Sequence, residues 1–198
     1  VRFLFPIPDP QQDYRTKPAE YLANLLGHEG EGSLLATLRR EGWADGLSAG
    51  TTNGDGRHAL FAVSISLTPE GAKHLSRIQA SLFDQIERIR EQGLQAWRYD
   101  EQASLNEQAF RFQQRGEPIE QASQLAMRLA HVPLEDVQYA PYRMDGFVAA
   151  RIRDYLADMT PAHLLRVYSG PDVEGETTSP YFDAPYTLTR VETWPEAS

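Results

Sequence analysis

The segment from Leu47 to Leu67 constrains the fold more than any other. Leu47 to Thr52 and Ala59 to Leu67 flank Asn53-Gly54-Asp55-Gly56, where Gly and Asn tolerate the positive φ angles of a hairpin turn. In the second arm Phe61, Val63, Ile65 and Leu67 fall on one face and Ala62, Ser64 and Ser66 on the other. This period of two predicts an antiparallel pair with one apolar face and one face of small residues. Such a pair cannot close a core alone, so the rest of the chain must cover it.

Helical signals supply the cover. Tyr21, Leu22, Leu25 and Leu26 recur at helical spacing from Pro18, and Gly27 marks the stop before a Gly-rich segment running to Gly32. Leu34, Leu35 and Leu38 predict a second helix ending near Gly42. Thr68-Pro69 is a helix start, since Thr caps free N–H groups and Pro fits the first helical position. Leu75, Ile78, Leu82, Phe83, Ile86 and Ile89 then trace one stripe to Gly93. Further helices are expected from about Leu94 to Gln114, with Trp97, Leu105, Phe110 and Phe112, from Pro118 through Leu129, and from Phe147 to Met159. Leu134 to Met144 reads as irregular and Thr160-Pro161 as a helical turn. Strands are expected at both ends, Arg2 to Ile7 and Leu164 to Ser169, the first closed by Pro8-Asp9-Pro10. Strands bracketing a helical block predict an α+β fold with a mainly antiparallel sheet covered on one face by helices; a doubly wound α/β fold is the alternative. Residues 1–170 form the expected unit. Residues 171–198, rich in Pro and polar residues with Tyr181, Phe182, Tyr186 and Trp194, read as an extended linker toward a neighbouring domain.

With 198 residues and 41% hydrophobic content the chain can bury its own core. A formal net charge of -9 opposes attraction to nucleic-acid phosphates and anionic lipid, so neither partner is expected. No run approaches the roughly 20 apolar residues of a membrane span. The opening Val-Arg-Phe-Leu-Phe-Pro reads as a strand entered in mid-protein. Zero Cys removes disulfides and thiolate chemistry and fits cytoplasm or periplasm equally.

The chain carries five histidines, His28, His58, His74, His131 and His163. No two stand one helical turn apart, and neither His-Glu-x-x-His nor its inversion His-x-x-Glu-His occurs, so no metal ligand set is expected. His28 with Glu29 and Glu31 is the best residual cluster and reads as a solvated turn. Gly46-Leu47-Ser48-Ala49-Gly50 has the spacing of a serine-hydrolase elbow, but Ser48 precedes another strand rather than a helix. Two acidic residues and no Lys in the Gly-rich turn argue against phosphate. No catalytic residue is expected. What remains is binding: an unpaired edge at Leu47 to Thr51 can add a peptide strand through main-chain bonds, with Gly27 and Gly50 permitting close approach and Glu29 facing the peptide's ammonium. An ordinary hairpin and helix cap is the alternative.

Several segments resemble one family in order. Phe5-Pro6-Ile7-Pro8-Asp9, Leu25-Leu26-Gly27-His28-Glu29-Gly30-Glu31-Gly32-Ser33-Leu34-Leu35, Glu41-Gly42-Trp43, Leu67-Thr68-Pro69-Glu70-Gly71, the stretch from Leu105 to Phe112 and Pro133 to Val137 look like the second domain of the insulysin and pitrilysin zinc metallopeptidases. The resemblance implies four similar α+β domains enclosing a peptide chamber, with zinc in the first and none here. It implies a non-catalytic domain that anchors the substrate's N-terminus by strand addition, at Gly27, Glu29, Leu47, Ser48, Ala49, Gly50 and Thr51, or else a purely architectural one. Insulysins have Gly where Ala49 stands and His where Asn24 stands. The implied partners are the remaining domains of the polypeptide and a peptide substrate, in bacterial periplasm or cytoplasm. A parent devoted to one peptide, like the family member of coenzyme PQQ maturation, fits equally.

Overall fold

A computed structural model describes residues 1–191 apart from Asn53, Arg115 and Asp172. Trp194 therefore lies outside the described residues, as does the first residue of the expected hairpin turn. In chain order the elements are β1 (Arg2–Pro8), α1 (Pro18–Gly27), α2 (Leu34–Arg40), β2 (Ala44–Thr51) and β3 (His58–Leu67). They continue with α3 (Leu75–Gln92), α4 (Ala96–Arg111), α5 (Pro118–Leu129), α6 (Ala149–Asp158) and β4 (Leu165–Val167). Two-residue strands β5 (Thr177–Thr178) and β6 (Pro185–Tyr186) follow, pairing as a small hairpin within the segment read as an extended linker.

The main sheet has the order β2-β3-β1-β4 and is antiparallel throughout. Alternation decides its two faces. Phe3, Phe5 and Ile7 of β1 lie opposite Val63, Phe61 and Ala59 of β3, and all six are buried. Onto this face α1 brings Leu22 and Leu26, α2 Leu35 and Leu38, α3 Ile78, Leu82 and Ile86, and α6 Ile152, Tyr155 and Leu156. Each such aliphatic side chain contributes roughly 2 kcal/mol on leaving water. The opposite face carries Ser48, Gly50, Ala62, Ser64 and Leu4, all partly or fully accessible. The α+β expectation holds, and the doubly wound alternative fails because every strand pair among the described residues is antiparallel.

Helix boundaries differ where capping and packing intervene. Thr68 does cap, its hydroxyl accepting from Gly71 N at 2.9 Å, but a 3-10 turn at Gly71–His74 comes first and α3 begins at Leu75. β2 starts at Ala44, earlier than Leu47, because Ala44 pairs with Leu67 across an irregularity between Ala44 and Gly46. The irregular stretch resolves into 3-10 turns at Leu134–Asp136 and Ala140–Tyr142. α4 buries Tyr99 yet leaves Trp97 57% exposed, with Phe112 beyond its end at 81%, and α5 buries nothing.

The hairpin turn is anchored from outside. Asp9 is fully buried, and its carboxylate accepts from Gln11 N at 2.9 Å and Gly56 N at 2.7 Å. A Cβ at Gly54 would stand 2.2 Å from Asp9 Oδ2, so that position excludes a side chain. The end of β2 is thereby fixed to the end of β1.

Candidate functional site: a groove along the sheet edge

β2 is the first strand of the sheet and has a strand on one side only. Thr52 N donates to Leu60 O at 2.9 Å, and Leu60 N donates back to Thr52 Oγ1 at 3.2 Å. In an antiparallel ladder the bonded positions alternate. Gly50 and Ser48, opposite Ala62 and Ser64, therefore bond to β3, while Leu47, Ala49 and Thr51 turn their N–H and C=O groups to the free edge. The side chains of Leu47 and Ala49 meanwhile pack against the core.

One face of α1 stands along this edge. Glu20, Ala23, Asn24 and Gly27 share that face by helical spacing. With Ser48, Ala49 and Gln102 they line a cleft of about 330 Å³. It adjoins a second, of about 400 Å³, lined by Ala49, Gly50 and Thr51 with Pro10, Gln11, Tyr14, Lys17, Glu20 and Ala23. Together they form a groove beside β2. A Cβ on Gly27 would meet Ala49 N at 3.7 Å and Ala49 Cβ at 3.8 Å. The groove is thus narrow at the end of α1, and a side chain larger than methyl at position 27 would reach the edge. Around a Cβ at Gly50 there is nothing within 4 Å.

The walls are held by buried aromatic groups. Tyr21, Tyr99 and Phe147 pack at centroid distances of 5.8–6.1 Å. Tyr21 Oη donates to Gln95 O at 3.1 Å, and Tyr99 Oη donates to Thr16 O at 2.9 Å. Burial raises the pKa of both phenols above the usual tyrosine value, so both remain neutral donors. This cluster fixes α4 against α1 and carries Gln102 into the groove. There Gln102 Nε2 donates to Glu20 Oε1 at 3.4 Å and Asn106 Nδ2 to the same oxygen at 3.1 Å, while Lys17 Nζ lies 3.4 Å from Glu20 Oε2. Gln102 Oε1 is buried without a partner; an unmade bond of this kind costs about 1–3 kcal/mol.

Of the residues expected at the site, Gly27, Ser48, Ala49, Gly50 and Thr51 line the groove and Leu47 supports it from the core side. Glu29 does not line it. The chain leaves α1 at His28 in extended conformation, and Glu29 Oε2 lies 3.2 Å from Arg39 Nη1, on α2. His28 accepts from Gly30 N at 2.9 Å and, with Glu31, faces a separate cleft that also contains Arg88 and Arg98. Glu20 and Gln102 are additional groove residues. Glu20 could have been found from its spacing with Ala23 and Gly27; Gln102 joins it from 82 positions away through tertiary packing alone. Among the described residues no group of three or more His, Cys, Asp or Glu is placed to hold a metal ion.

Residues 1–105 match the family profile described as "Peptidase M16 inactive domain", and residues 110–196 match "Middle or third domain of peptidase M16". The chain belongs to the insulysin and pitrilysin family of peptidases. It is 33% identical over 189 residues to insulin-degrading enzyme of Drosophila melanogaster, and 35% identical over 167 residues to that of Homo sapiens. These alignments cover 94% and 84% of the chain but only 19% and 16% of the relatives, so the chain spans a fifth or less of their length. Pitrilysin superposes with a TM-score of 0.89 at 28% identity, over 94% of this chain and 20% of that one. An M16 inactive domain from Pseudomonas fluorescens shares the fold, with a TM-score of 0.56 at 15% identity, over 82% and 39% of the two chains. As a family member the chain is a non-catalytic domain of a zinc-peptidase lineage. The first profile ends within α4, yet α6 and β4 beyond it complete the core and sheet of the same unit.

Proposed function

We propose that the chain serves a zinc metallopeptidase as a non-catalytic domain that helps enclose the peptide chamber and anchors the substrate's N-terminus by strand addition along β2. The carrying observation is that Leu47, Ala49 and Thr51 turn unpaired main-chain groups to a free edge whose flank is a preformed groove. An extended peptide laid there makes two or three ladder bonds without displacing any element. The zinc and the catalytic groups belong to another domain of the parent, and a peptide and the other domains are the partners.

Replacing Ala49 by Pro removes an N–H that faces the edge and spares the bonds to β3, a place where strand proline is tolerated. The expected result is a fold unchanged by circular dichroism and affinity for an extended peptide reduced about tenfold, the equivalent of about 1.4 kcal/mol. Unchanged affinity, together with an unchanged KM in the parent peptidase, would favour the purely architectural reading. Ile119, Met127 and Leu129, exposed along α5, support a packing role beside the binding one.

A further inference from the structure

We infer that the separate cleft facing His28 is a binding site for one carboxylate group of a polypeptide, received by Arg88, Arg98 and His28. It stands apart from the groove and uses no part of the β2 edge. Glu20, Ala23, Asn24 and Gly27 give α1 its groove side, whereas Tyr21, Leu25 and His28, on another face of the helix, border this cleft of about 330 Å³. Across it Gln85, Arg88 and Gln92 share one face of α3, and Arg98 stands in the first turn of α4.

The donors are in place before any ligand arrives. Arg39, Arg90, Arg111, Arg143 and Arg151 are each paired with a carboxylate, but Arg88 and Arg98 have no such partner among the described residues. Arg98 is oriented without being neutralised: its guanidinium lies over the Trp97 ring, 4.8 Å from the centroid, and donates to Gln95 Oε1 at 3.4 Å. His28 Nδ1 accepts from Gly30 N at 2.9 Å, so the neutral ring carries its proton on Nε2 and donates from there. A Cβ at Gly30 would stand 2.3 Å from His28 Cε1, so the glycine lets the backbone close on the ring. Charge then selects the ligand. Two guanidinium groups against the single carboxylate of Glu31 leave one net positive charge in the cleft. A carboxylate balances that charge and fits the planar fork of an arginine through two parallel bonds. A phosphate group, at roughly −1.5 to −2 at pH 7, brings more than the cleft balances. The net charge of -9 on the whole chain gives polyanions no long-range attraction.

The carboxylate can come from an acidic side chain or from a chain end, and three N-acetylated alanine-based pentapeptides separate them: one with Glu at its centre and an amidated end, one with Gln in that place, and one with Gln there and a free C-terminal carboxylate. They are titrated into the full chain at fixed ionic strength and followed by heteronuclear NMR at the amides of Gly32, Gly93 and Gln95. A carboxylate peptide should shift these amides and bind about tenfold tighter than the neutral one, roughly one charge-assisted contact. Arg88→Gln and Arg98→Gln should each bring that ratio close to one, while Arg88→Lys, which keeps the charge and loses the fork, should retain part of it. Gly30→Ala, which displaces the His28 ring, should lower the ratio, Glu31→Gln should raise it, and Arg153→Gln, exposed on α6, should leave it unchanged. Preference for the Glu peptide assigns the site to side chains and preference for the free-acid peptide to chain ends; either sustains the inference. A ratio near one in the wild type, a ratio retained in both Arg→Gln variants, or inorganic phosphate shifting the same amides more strongly than acetate overturns it. Because the groove takes no part, loss of peptide binding in Ala49→Pro with this ratio intact separates the two sites.

Discussion

Asp136 ties the front of the groove to the turns behind it. Tyr14 Oη donates to Asp136 Oδ2 at 2.6 Å, Arg15 Nη2 donates to the same oxygen at 3.1 Å, and Arg143 holds Oδ1. The Tyr14 hydroxyl, then the charges of Arg143 and Arg15, hold this carboxyl below its usual pKa. A carboxyl depressed in the folded state stabilises above its unfolded value, near 3.9, and loses that contribution as pH falls through the folded value. Asp136→Asn should therefore lower the melting temperature at pH 7, and the difference from wild type should shrink below about pH 4. Thermal scans of both proteins between pH 7 and pH 3 read this directly; a constant difference would show the charge to be irrelevant. None of this network was legible in the sequence, since Tyr14 and Asp136 are 122 positions apart and neither belongs to a periodic pattern. Glu29 shows the same limit. A turn carboxylate beside Gly27 reads as facing the edge, but in the structure it points to Arg39 on α2, at 3.2 Å in an exposed ion pair.

At the scale of elements the reading from sequence was largely sound, because burial on one face leaves a period that survives without coordinates. β3 carries Ala59, Phe61, Val63 and Ile65 inward, and α3 carries Ile78, Leu82, Ile86 and Ile89. Ile86→Ala should cost roughly 2–5 kcal/mol by chemical denaturation, the range for a core aliphatic cut to alanine. Periodicity speaks of an apolar face and says nothing of what covers it. α5 has such a face, with Ile119 75% exposed, and lacks a side-chain cap at its start. Helices of this length owe most of their stability to packing. Amides of α5 should accordingly exchange with solvent far faster than those of α3 when followed by mass spectrometry; equal protection would mean that α5 is covered in solution. The start of α3 was displaced for a local reason, as Thr68 spends its hydroxyl on both Gly42 O and Gly71 N and tightens the entry into a 3-10 turn.

For the whole molecule, one core cluster draws residues from both matched profiles, a groove runs beside the edge strand, and among the described residues no group of three or more His, Cys, Asp or Glu is placed to hold a metal ion. Zinc or a chelator should leave its unfolding temperature unchanged, and a quenched peptide incubated with zinc should survive. Cleavage abolished by chelation would contradict assignment to the inactive domain. The flank that α1 gives to β2 has a further effect. A sheet edge on an open rim invites another sheet and with it aggregation. A slot walled by a helix takes a lone strand, because a folded partner would have to bring its neighbouring strands through the wall. If the groove takes peptide as proposed, it would sort polypeptides by how folded they are, admitting slack chain ends and turning away finished proteins, further copies of this one included.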